Sequence, residues 1–210
     1  MTIQFPRDLP AVGYQQCDLI LRDGVVASPS GSAPAGRMLI NYTQVSPTVW
    51  EATLGTVPMT FDQFSEFEAW WLTLRGMRAA RFRRPFNGYP RAHRENHAPA
   101  EVTGLLGSVT NGNELVVNGV SPGLVLSVGD QIGLERLNRF YLGRVVEVSG
   151  SGTTRNLTVE PPPFATVSQP NAVVRFVRPV LIMRPVPDSY EVSVSGDFLY
   201  SVTCKLMESA

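Results

Sequence analysis

SYEVSVSGDFLYSVTCKLMES, residues 189–209, decides how this chain is put together. It contains two alternating strands around Ser195-Gly196-Asp197, and on the second of them Phe198, Tyr200, Val202, Cys204 and Leu206 fall on one apolar face. Alternation with a period of two, broken by turn residues, is the mark of a half-buried hairpin. A lone hairpin is marginal in water and cannot cover such a face, so the stretch needs a sheet to join. The far end of the chain offers one.

Working outward, CDLIL (17–21) places Cys17, Leu19 and Leu21 together, and RMLINYTQV (37–45) does the same for Met38, Ile40 and Tyr42. After Ser46-Pro47, TVWEATLGTV aligns Trp50, Ala52 and Leu54. The last two segments read as a hairpin. Between the first two lies SPSGSAPAG (28–36), a surface loop by composition, or an arm that orders against a neighbour.

FDQFSEFEAWWLTLRG (61–76) predicts the one firm helix, over 61–75. Thr60 and Gln63 have capping-box spacing, and Met59 and Phe64 that of a hydrophobic staple. Phe64, Phe67, Trp70, Trp71 and Leu74 recur at three- and four-residue intervals, an apolar stripe suited to covering a sheet face. Gly76 suits a helix stop.

Residues 98–179 have another texture. Short apolar runs (VTNGNELVV, SVGDQIGL, FYLGRVVEV, RNLTVEPPP, NAVVRFV) alternate with turn signals such as Asn111-Gly112 and Gly129-Asp130. Five or six strands at this spacing, with no helix, predict a small barrel or sandwich. Within FYLGRVVEV, Phe140, Leu142, Val146 and Val148 are expected on one face. The fold expected is therefore mainly β: a discontinuous, sandwich-like main domain of residues 1–97 and 180–210 with one aromatic helix, interrupted by a barrel of residues 98–179.

Composition narrows the function. Formal charge sums to zero, against a general binder of nucleic acid or of membrane surfaces. No run approaches the roughly 18 apolar residues of a membrane-spanning helix. Nor does the N-terminus carry a signal-like apolar stretch, and the chain is expected in the cytosol when made. Cys17 and Cys204 stand far apart without CxxC spacing, as buried thiols would.

Apart from Lys205, every positive side chain is arginine, the residue favoured at protein interfaces. Arg75, Arg78, Arg81, Arg83, Arg84, Arg91 and Arg94 crowd one acid-free segment with Phe82, Phe86 and Tyr89 between them. That interleaving can stack single-stranded nucleic acid, but a strand ARFRRPF with Phe82 inward, leading to a subunit interface, fits the neutral net charge better. His93 and His97 have an i, i+4 spacing that can hold zinc on a helix, yet Glu95 is misplaced for HExxH and Pro90 and Pro99 crowd the segment. No nucleophile elbow, phosphate loop or dinucleotide turn is present. No enzyme, metal or cofactor is expected.

The layout PTVWEATL, then a capped helix ending in LRG, then RFRRPF, with GDQIGL…FYLGRVVEV…LTVEPPP, MRPVPDSYEV and a closing SVTCKLME strand, resembles the distal and minor tail proteins of long-tailed bacteriophages and gene transfer agents. The resemblance spans most of the chain and rests on layout and short patterns. It implies a structural virion protein without catalysis, forming a ring, commonly a hexamer, in the phage tail. It also implies a tail tube protein above, a tip hub below and a tape-measure protein within. A central insertion departs from the smallest members. The alternatives are a carbohydrate-binding module in which barrel aromatics such as Tyr141 grip host glycans, and a lytic tail enzyme using His93 or His97.

Overall fold

The computed structural model describes residues 3–32, 38–76 and 78–209, with the side chains of 29–32, 38 and 39 left aside. The chain is mainly β with few helices and includes a closed six-stranded barrel. Two compact units emerge: Met1–Ala11 with Arg78–Met183, here the barrel unit, and Val12–Met77 with Arg184–Ala210, the helix unit. The segment 78–97 thus falls in the unit that holds the barrel.

In the helix unit, β2 (Tyr14–Arg22) pairs antiparallel with β5 (Val49–Thr56), and β5 pairs antiparallel with β15 (Tyr200–Glu208), whose outer neighbour is β14 (Glu191–Val194). The N-terminal strands and the C-terminal hairpin therefore share one sheet. Trp50, Ala52 and Leu54 of β5, Cys17 and Leu19 of β2, and Val202, Cys204 and Leu206 of β15 are all buried. Leu54 lies opposite both Cys17 and Cys204. Two strand spacings, roughly 10 Å, separate these thiols, beyond the reach of a disulfide. Burial pushes the Cys204 thiol up to about 12, so it stays protonated.

Helix α1 (Phe61–Thr73) begins with a complete capping box: Gln63 N–H donates to Thr60 Oγ1 at 3.5 Å and Thr60 N–H to Gln63 Oε1 at 3.1 Å. Just beyond the helix, Gly76 adopts a left-handed φ of 76°. Phe67, Trp70 and Leu74 are buried. Phe64 and Trp71 are half-buried and stack on Tyr200 (4.6 Å) and Tyr190 (5.2 Å).

Three expectations for this unit need correction. β4 (Met38–Gln44) does not form a hairpin with β5: it pairs with β3 (Val25–Ser32), while β5 turns to β2 and β15. One long hairpin is broken at its waist, where Ser46-Pro47 cannot continue the ladder and Gly24 O accepts from Val45 N–H at 2.7 Å. The supposed loop at 28–36 is strand through Ser32, and residues 33–36 lie outside the described residues. Phe198 leaves the apolar face expected of it. It sits in the turn before β15 with φ 58°, 80 % exposed.

In the barrel unit, β1 (Arg7–Asp8) runs parallel to β6 (Ala80–Arg83), and β6 pairs antiparallel with β13 (Val180–Pro185). The barrel comprises β7 (Gly104–Thr110), β8 (Glu114–Asn118), β9 (Gln131–Arg136), β10 (Arg139–Ser149), β11 (Thr154–Glu160) and β12 (Val173–Arg175), closed in the order β10-β11-β8-β7-β12-β9. A single helical turn, α2 (Ala98–Glu101), precedes it where no helix was expected. Each strand sends a residue into the core: Leu106, Val117, Ile132, Tyr141, Leu157 and Val174.

The predicted face of β10 is also corrected. Tyr141 and Val145 point inward, and a bulge between Val145 and Glu147 shifts the alternation after them, so Val146 is exposed while Val148 packs against the same core. A Cβ on Gly143 would overlap the Tyr141 hydroxyl, which donates to Pro161 O.

Candidate functional site

The seven arginines of the basic segment separate into distinct settings. Arg75 belongs to the helix unit and lines a groove of about 540 Å³ with Glu68, Trp71, Asp188 and Tyr190. In that groove the Tyr190 hydroxyl is buried without a partner among the described residues. Burial, then the charge of Glu68 and the Cys204 thiol, push it up to about 12. The other six lie in the barrel unit. Arg78 sits over the Phe5 ring at 5.0 Å, and Arg81 meets Asp8 at 3.7 Å across the β1–β6 pair. Arg83 is exposed on β6 while Ala80 and Phe82 are buried. Arg84, Arg91 and Arg94 converge on one cavity of about 180 Å³, together with Asn87, Tyr89, Asp130 and Gln131.

The chain after β6 is shaped to bring those three together. Pro85 lacks the N–H that would extend the strand, and Asn87 takes a left-handed φ of 54°. Gly88 is buried beside Arg178, whose N–H donates to Gly88 O at 2.7 Å. After Pro90, a 3-10 turn at Arg91–His93 is fastened to the loop before β9. The Asp130 carboxylate accepts Arg91 N–H at 3.0 Å and Ser127 N–H at 2.8 Å, and the Arg91 guanidinium lies 3.7 Å away. Arg91 also donates to Val128 O.

The two histidines serve this same loop. Val125 N–H donates to His93 Nε2 at 2.8 Å, which leaves Nδ1 to carry the proton and donate to Asn96 O at 3.1 Å. His97 donates from Nδ1 to His93 O at 2.7 Å, and its ring stacks on Tyr89 with centroids 3.9 Å apart. Both His93 nitrogens are thus engaged by backbone. Among the described residues no group of three metal-ligating side chains comes together.

A second candidate surface is the β3–β4 ribbon. Among the described residues its strands pair only with each other, and Ile40 and Tyr42, two residues apart, share one face, with Ala27 opposite Tyr42. Tyr42 is 72 % exposed, and Val25, Val26, Ile40 and Val45 are exposed too. In the same unit all four residues of β14 are exposed, next to Phe198. Tyr141, the aromatic suggested for glycan contact, lies inside the barrel, edge-on to Phe164.

Sequence reasoning missed Arg155. It is 6 % exposed on β11 and donates to the carbonyls of Pro122, Leu124, Gly152 and Thr154, tying the 121–126 loop to the barrel wall. An arginine alternating with Leu157 and Val159 on a strand is the available signal, because those neighbours face the core. Asp130 was legible only as a turn residue.

No family model matches the chain, and no curated protein matches it. Among the described residues no helix is long and apolar enough to cross a membrane.

Proposed function

We propose that this chain is a ring-forming structural component of a phage-type tail, a distal or minor tail protein that joins the tail tube to the tip complex in the virion. Its neighbours in this reading are the tube protein, the tip hub and the tape-measure protein, with six copies in the ring. The observation that carries it is the β3–β4 ribbon. A two-stranded ribbon is marginal by itself, and this one displays Tyr42, Ile40 and Val26 instead of burying them. Clustered exposed apolar side chains mark association surfaces. An arm received by a different surface of an identical copy is a head-to-tail contact, which closes into a ring when its rotation permits. The layout of alternating strands, capped aromatic helix and closing C-terminal strand supports the same reading.

Native mass spectrometry of the purified chain at micromolar concentration is the test. The expected result is one closed oligomer, with Tyr42→Asp shifting it to single copies. A wild-type chain that is entirely single-copy would contradict the proposal.

A further inference from the structure

We infer that the cavity bounded by Arg84, Arg91, Arg94 and Gln131 in the barrel unit binds one small oxyanion, a phosphate group or a carboxylate. The inference stands apart from the ring proposal and rests on an imbalance of donors over acceptors. Three arginines and one aspartate line the cavity, and of the arginines only Arg91 has its guanidinium turned to Asp130 and to Val128 O. That carboxylate, on Asp130, is buried and already accepts from Arg91 N–H and Ser127 N–H, so its oxygens are largely spent on the protein itself. On the donor side, Arg84 Nε and the Gln131 side-chain amide nitrogen are buried with no hydrogen-bond partner among the described residues.

A guanidinium has donors only and stays charged. Leaving such donors buried and unmet is costly, more so for a charged group. Two orphaned donors on residues of one cavity, beside two further arginines, call for a group that only accepts and carries negative charge. An oxyanion does both, and planar guanidinium forks match carboxylate and phosphate geometry alike. A volume of about 180 Å³ suits a single such group with a few waters, since one water occupies roughly 30 Å³ of liquid. Tyr89, held by His97 on one side and facing Arg178 at 5.8 Å, supplies a fixed aromatic wall.

The anion has two possible sources, a free oxyanion in solution or an acidic side chain on another chain. Thermal unfolding of the full chain, titrated with inorganic phosphate in one arm and N-acetylglutamate amide in the other at constant ionic strength, separates them. A specific ligand raises the midpoint saturably. Saturation by phosphate alone assigns a free oxyanion, and saturation by the glutamyl amide assigns a carboxylate from a protein partner. Arg84→Gln and Arg94→Gln are each expected to weaken half-saturation about tenfold, while Arg83→Gln, on the exposed face of β6, leaves it unchanged. Should Arg84→Gln not fold, Arg94→Gln decides by itself. The inference is overturned if neither probe saturates, or if Arg94→Gln titrates like Arg83→Gln.

Discussion

The two units solve the problem of a β fold in opposite ways. The barrel closes on itself, so none of its six strands offers an open edge, and its one buried arginine is satisfied by four carbonyls. The helix unit spreads its strands in an open sheet and extends a ribbon whose large apolar side chains face outward. Closure makes a unit self-sufficient, whereas open edges and apolar arms suit a unit that completes itself on a partner.

That contrast predicts different weak points. The largest effect is expected from Phe67→Ala in α1, which empties a fully buried ring site and costs about 3–5 kcal/mol. Hydrogen exchange should place the loss in residues 12–76 and 184–209. Next, Arg155→Ala strips four carbonyls of their donor and should cost about 3 kcal/mol, with the loss confined to the barrel unit. Equal loss of protection in both units from either variant would break the distinction.

Smaller effects sharpen it. Glu208, at the end of β15, accepts Trp50 N–H at 3.0 Å, yet burial outweighs that bond and raises its pKa above the usual carboxylate range. A raised carboxyl binds protons more tightly when folded than when unfolded. Stability therefore falls as pH climbs from the ordinary carboxylate pKa through the folded one, and the charged form weighs against folding at neutral pH. Glu208→Gln keeps the acceptor without the charge, so it should raise the melting midpoint at pH 7 and leave it nearly unchanged at pH 3.5. A gain confined to acid would contradict the assignment.

The smallest effect belongs to the barrel rim. Leu137 and Asn138 both take left-handed φ (49° and 60°) in the two-residue turn between β9 and β10, and Leu137 is 82 % exposed. Asparagine tolerates that conformation better than leucine, so Leu137→Asn should gain about 0.5–1 kcal/mol in chemical denaturation.

What could be read from the sequence was local or periodic. Thr60, Gln63 and the Phe64–Leu74 spacing specify α1 because a cap and an amphipathic stripe are encoded within a few residues. The run from Tyr200 to Leu206 specifies a strand that must join a sheet for the same reason. The misreadings came where pairing is settled at long range. Adjacency suggested β4 with β5, but Pro47 interrupts the ladder and the partners are nested, β3 with β4 and β2 with β5. A bulge at Val145 inverted the second half of β10, and a left-handed turn residue carried Phe198 off its face. The basic segment was visible as composition, but the meeting of Arg84 and Arg94 with Gln131 depends on a loop fastened by Asp130 and His93, residues that carry no such meaning in isolation.

In the proposed ring the ribbon of one copy is covered by another copy. A photoreactive amino acid placed at Tyr42, activated in the purified assembly, tests it most directly. The expected product has twice the chain mass, with the partner peptide from another copy's surface. A product of single-chain mass only would contradict it.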